Sequence, residues 1–167
     1  MLDISYISSI LSHPTWDLIV IFLFIAAGFF YGWMAGKARL LSVLLGIYIA
    51  QLLFVNMHFL NFFLAGRTLL ETFLMRVTVF LALVTVLSHL FFKTFLRSVS
   101  EDEKVWWKIF ALSFLEVGLL MASVFALLPA AELFTFSPVV KYAFASPDAF
   151  LWWLVLPLAA LFIIMRK

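Results

Sequence analysis

One carboxylate, Glu116, stands in the middle of the run ALSFLEVGLLMASVFALLP (residues 111–129), where every other residue is apolar or small. A carboxylate so placed can exchange a proton, hold a cation or pair with a base. Further polar groups recur at helical spacing in the neighbouring apolar runs. Gln51, His58 and Asn61 form one set; Thr78, Thr85 and His89, with Ser88 beside it, form a second; Ser113, Glu116 and Ser123 form a third. Separations of 3, 4, 7 and 10 residues keep each set on one helical face. Such faces usually turn inward and hydrogen-bond across helices, for about 0.5–2 kcal/mol each. Glu116, Gln51, Arg76, Thr78 and Thr85 are therefore the candidate intramembrane polar site. Glu71 reads as a helix cap, and His13, before Pro14, as a solvated surface residue.

Hydrolytic chemistry lacks its usual parts. The chain has no HExxH, no GxSxG and no pair of intramembrane aspartates. His58 and His89 belong at opposite ends of their spans, and with no cysteine there is no thiolate nucleophile, thiolate metal site or disulfide. No catalytic residue, metal or cofactor is assigned, and an enzyme is the least favoured class.

Composition determines what surrounds the carboxylate. Hydrophobic residues make up 66% of the 167 and charged ones 12%, with a mean hydropathy of +1.18. A soluble domain is about half apolar and one quarter charged, and no core of this size could hide the excess. The chain is expected to be an integral membrane protein, with its 21 Phe and 6 Trp facing lipid and the interfaces. A net charge of +2 could point to nucleic acid, yet no basic run or basic helix face exists, so no nucleic-acid partner is expected.

A bilayer crossing needs about 20 apolar residues. Five segments qualify: 17–36, 40–64, 70–92, 106–128 and 149–165. The first is long for a signal peptide and lacks a basic start, so it reads as a retained span. Helix starts are signalled by Thr68 with Glu71, by Ser100 with Glu103, by Ser137-Pro138, and by Ser146 with Pro147 and Asp148. The segment 1–16 is expected to be an outer interfacial helix, and 129–148 an interfacial or re-entrant one. Lys37, Arg39, Lys93, Arg97, Lys104, Lys108, Arg166 and Lys167 would share one side of five spans, against Arg67 and Lys141 on the other. That asymmetry predicts an outer N-terminus and a cytoplasmic C-terminus.

Lys108 marks the basic end of the fourth span, so Glu116 lies about eight residues or roughly 12 Å inside, near mid-bilayer. An ionised acid there costs at least a few kcal/mol unless paired. The expected partners are Gln51, by hydrogen bond, or Arg76, by ion pair. Two readings follow: a proton- or cation-handling site, or a buried structural pair that fixes helix register. Gly28, Gly32 and Gly36 repeat every four residues on one face of the first helix, and Gly46 with Ala50 repeats the spacing in the second. The expectation is that these two helices pack closely through Gly28, Gly32, Gly36 and Gly46. A homo-oligomer seam is the alternative use of the same face.

The order of these features resembles the CvpA (colicin V production protein) family of bacterial inner-membrane proteins, over roughly residues 17–145. It rests on WDLIVIFLFIAAGFFYGWMAGKARLLSVLLGIYIAQLL, a long third helix with a basic end, a polar turn into the fourth, and FTFSPVVKYAF. The family's glycine–basic–glycine hairpin is matched by Gly32 and Gly36 followed by Lys37 and Arg39, in altered order. Its fourth helix usually begins with a basic residue and several glycines; EKVWWKIFALSFLEVG keeps Lys104 and Lys108 but only Gly118. The simplest members also lack a fifth span. The resemblance implies a non-enzymatic protein of the bacterial inner membrane that supports colicin V production or export, or envelope integrity, through partners. It supplies no catalytic residues.

The whole reading is one all-α transmembrane domain over 1–167, a five-helix bundle in the lipid bilayer. Its partners would be further copies of itself or other membrane proteins. The leading function is the CvpA-like one; the runner-up is a small proton- or ion-coupled transporter or channel using Glu116.

Overall fold

The computed structural model describes residues 16–96, 106–127 and 136–165, and these form an all-α bundle. The elements are α1 (Trp16–Ala35), α2 (Lys37–Asn56), α3 (Phe59–Leu64), α4 (Leu69–Phe91, then a π turn, Phe92–Leu96), α5 (Trp106–Leu127), α6 (Pro138–Val140, then a π turn, Lys141–Ala145) and α7 (Pro147–Met165). Helices α1, α2, α4 and α5 are long and apolar enough to cross a membrane. The pair Pro138–Ala145 and Pro147–Ile163, bent by 59°, makes a fifth crossing if it is one span. The protein is a multi-pass membrane bundle with four to five crossings among the described residues.

Local chemistry accounts for the helix starts. Thr68 Oγ1 accepts the Glu71 N–H at 3.3 Å while Glu71 Oε2 accepts the Thr68 N–H at 3.1 Å, a reciprocal cap on α4. Ser137 Oγ accepts the Val140 N–H at 3.4 Å, with Pro138 in the first helical position. Ser146 Oγ accepts the Ala149 N–H at 3.2 Å at the head of α7. The expected start at Ser100 and Glu103 lies outside the described residues, as does the interfacial segment apart from Trp16, which opens α1.

The second span, expected as one helix over 40–64, is broken. α2 stops at Asn56, whose Nδ2 donates to Leu52 O at 2.7 Å, and Met57 (φ −81°, ψ 60°) leaves the helical ladder before α3. Twenty residues already cover about 30 Å of hydrocarbon, so α3 has no span left to complete. A single residue, Gly36, joins α1 to α2. Its φ of 80° lies in the region that glycine alone enters without strain, and its N–H bonds Gly32 O at 2.9 Å.

α2 forms the centre of the bundle. Leu40, Leu44, Ile47 and Ala50 are buried against Phe80 and Val84 of α4 and Ile109, Leu112 and Leu119 of α5. α5 in turn packs on α1 and α7. The outer faces of α1 and α4 carry exposed Phe22, Leu23, Met34, Leu74 and Val86. In water that surface would drive association, whereas in a bilayer it faces lipid.

Helix pairing departs from the one expected. A Cβ on Gly28 would stand 2.7 Å from Val117 Cγ2, and one on Gly32 2.6 Å from Ser113 Oγ, so both bring α1 onto α5. Gly32 also meets α2, where the added Cβ would lie 2.9 Å from Leu40 Cδ1. Gly46 faces α4 instead of α1: its Cβ would meet Ser88 Oγ and stand 3.1 Å from Val84 O. Gly36 serves the turn. A glycine marks where a neighbour can come close, and here the small Ser113 and Ser88 complete two of the close approaches from other helices.

Candidate intramembrane polar site

α5 turns Ser113, Glu116 and Ser123 inward, all buried with Ile109, Leu112 and Leu119. The arrangement follows from sequence: small and polar residues on this face allow α1 and α2 to approach, while Phe110 and Phe114 stay on the outside. Glu116 is 9% exposed, and its Oε2 is buried with no hydrogen-bond partner among the described residues. One turn nearer the basic end, Ser113 Oγ is in the same condition, set against Gly32.

Neither expected partner reaches Glu116. Gln51 is buried on α2 but its Nε2 donates to Ser123 Oγ, and Ser123 passes its own proton to Leu119 O at 2.6 Å. Ser123 is two turns, roughly 10 Å, beyond Glu116, with the fully buried Leu119 between them. Arg76 donates from Nη2 to Asn61 Oδ1 at 3.4 Å, near the far end of the bundle. There a cavity of about 220 Å³ is rimmed by His58, Asn61 and Arg76 and floored by Phe54, Ala126 and Leu127. Its floor is one turn beyond the Gln51–Ser123 bond. Polar groups thus follow the inner face of α5, a seam that α1 meets at Ser113 and α2 at Ser123, in the order Ser113, Glu116, Ser123 with Gln51, and the cavity, interrupted by Leu119.

Thr78 and Thr85 do not belong to this seam. Both are exposed on α4, with hydroxyls donating to Leu74 O and Leu81 O at 2.8 Å. A threonine that bonds the carbonyl four residues back satisfies itself, so it can face lipid and its polarity does not identify the inner face. Of the α4 stripe, Ser88 is buried and His89 exposed. Among the described residues no group of three or more His, Cys, Asp or Glu side chains comes together as metal ligands.

A buried polar oxygen left without a partner costs about 1–3 kcal/mol. Ionisable residues inside a membrane are rare and usually face a partner or a pathway. Chemically, the Glu116 carboxyl can bind and release a proton, or offer an oxygen to a small cation, in a seam whose other polar groups are already paired apart from Ser113.

Sequence reasoning did not anticipate the role of Asp17. This residue is 2% exposed, and its carboxylate accepts the Leu18 N–H at 3.0 Å and the Ser137 N–H at 2.6 Å. The bond ties the start of α1 to the start of α6 across 120 residues. The only local signal was an acid in the first turn of an apolar helix, which reads equally as a cap. No protein-family model, curated protein or solved structure was found to match this chain.

Proposed function

We propose that this multi-pass membrane protein handles protons or a small monovalent cation, with Glu116 as the working group. One observation carries the reading: the Glu116 carboxyl is buried on the inner face of α5 with an oxygen that bonds nothing among the described residues. A structural pair that fixes helix register would use Gln51 or Arg76, and both are committed elsewhere. The cavity lined by His58, Asn61 and Arg76 ends one turn from Gln51 and Ser123, so a path from that end to Glu116 has only Leu119 left to pass. The test is flux into liposomes by the wild type and by Glu116→Gln, which keeps shape but cannot exchange a proton. Flux in the wild type alone supports the reading; equal flux in both proteins, or in neither, overturns it.

A second reading is favoured by the bond between Asp17 and Ser137. These residues lie in the two stretches, at the head of α1 and in FTFSPVVKYAF, that carry the resemblance to the CvpA family, and the carboxylate holds them together. Under this reading the chain is a non-enzymatic component of the bacterial inner membrane, N-terminus outside, that supports toxin export or envelope integrity through other membrane proteins. Cells lacking the protein would then be envelope-sensitive and would be rescued as well by Glu116→Gln as by the wild type, while Asp17→Ala would fail to rescue.

A further inference from the structure

At the basic end of the bundle, a cleft of about 420 Å³ opens between the end of α1, the first turns of α2 and the last turns of α4. Its volume is within the range of small-molecule sites, about 300–1,000 Å³. Arg39 supplies its permanent charge, with His89 opposite and no carboxylate in the lining among the described residues. The Arg39 guanidinium lies over the Phe92 ring, 5.1 Å from its centroid, which holds the charge in place without neutralising it. Tyr31, which carries a further hydroxyl, also lines the cleft.

The remaining polar wall has a specific state. Ser42 donates to Arg39 O at 2.7 Å, Thr85 to Leu81 O at 2.8 Å and Ser88 to Val84 O at 2.5 Å. Each hydroxyl has spent its proton on its own helix, so each presents an oxygen that can accept. The cleft therefore combines cationic and donating groups with accepting oxygens, and apolar Val43 and Val84 share its lining. An anionic phosphate ester with free hydroxyls attached matches both kinds of group. The cleft also opens on the outward face of α4, where Thr85 and His89 are exposed beside exposed Val86 and Leu90. Trp33, Trp106 and Trp107 are at the same end of the bundle, as expected of residues at headgroup depth. Basic pockets between membrane helices at that depth take anionic headgroups.

We propose that the Arg39–His89 cleft is a binding site for a phosphate-bearing anion, presented by a lipid headgroup or free in solution. This site is separate from the Glu116 seam and does not depend on its function.

The full chain, stripped of lipid in neutral detergent, is titrated at fixed ionic strength with short-chain phosphatidylglycerol, short-chain phosphatidylcholine or sodium phosphate, and thermal stability is followed. Phosphatidylglycerol should stabilise the protein and phosphatidylcholine should not. Arg39→Gln should weaken the phosphatidylglycerol affinity by about tenfold, as expected for loss of a charge-assisted hydrogen bond, while Arg67→Gln, at the opposite end, should leave it unchanged. His89→Gln, on the exposed face of α4, should weaken it as well and decides the matter should Arg39→Gln not fold. Competition by sodium phosphate at the concentration at which it stabilises alone assigns the site to free phosphate; stabilisation by phosphatidylglycerol only assigns it to lipid. Equal stabilisation by both lipids without an effect of phosphate, or undiminished affinity in the folded variants, overturns the proposal.

Discussion

Replacing Glu116 by methionine should make the bundle more stable. The Oε2 of Glu116 is buried without a partner, and a group in that condition costs about 1–3 kcal/mol. Methionine has a similar length and a flexible apolar chain that fits irregular gaps. No bond is lost elsewhere, because Gln51 is held by Ser123 and Arg76 by Asn61. The expected gain is therefore about 1–3 kcal/mol, or roughly five- to 150-fold in the folded-to-unfolded ratio. Equilibrium unfolding in mixed detergent micelles reads it directly, with Glu116→Gln as control, since an amide leaves donors as well as an acceptor to satisfy and should gain nothing. A loss of 1 kcal/mol or more in the methionine variant would show that Glu116 holds the fold through a partner and is not held in reserve for protons or cations.

Other perturbations test the packing and the topology. Gly118→Ala would push a Cβ into the Trp153 ring, which is held by its Nε1–H bond to Ala143 O at 2.8 Å and stacked on Phe144 at 5.3 Å. Displacing that ring should destabilise the protein by about 2–4 kcal/mol in the same unfolding assay. Gln51→Leu removes one interhelical hydrogen bond but leaves Ser123 bonded to Leu119 O, so the loss should be about 0.5–1.5 kcal/mol. The chain has no cysteine, which makes single-cysteine labelling clean. Lys93→Cys should be shielded from an impermeant thiol reagent in intact cells, and Lys141→Cys labelled; the reverse pattern would invert the proposed orientation.

The spans were legible because a bilayer imposes one length on every crossing helix, and the apolar runs around 17–36, 70–92 and 106–128 have that length. Caps were legible where the chemistry is local, as at Thr68, Ser137 and Ser146. The break at Met57 was not, since no proline or glycine announces it and the apolar residues continue through Leu64. Polar type also failed to identify the inner face of α4: Thr78 and Thr85 satisfy themselves on their own backbone, while Ser88 faces inward. The glycine repeat marked close approach correctly in kind but not in partner, because Gly46 meets Ser88 of α4 and Gly28 meets Val117 of α5. Contacts between distant segments, such as Asp17 with Ser137 or Gln51 with Ser123, depend on how whole helices are arranged, and short sequence patterns carry no record of that.

Among the described residues the other buried polar side chains have partners, as with Ser88 on Val84 O, and the half-buried Tyr48 bonds Leu154 O. Glu116 and Ser113 remain, one turn apart on the inner face of α5, with Gly32 of the first helix set against Ser113. Evolution can leave such a group in place only where its chemistry is used or its cost is tolerated.

The most direct test is ion flux through the purified protein in liposomes, under a pH gradient and under a monovalent-cation gradient, compared with Glu116→Gln. Flux in the wild type that disappears in a folded Glu116→Gln variant is the predicted result. The absence of flux in both, or flux that persists without the carboxyl, would contradict a working role for Glu116.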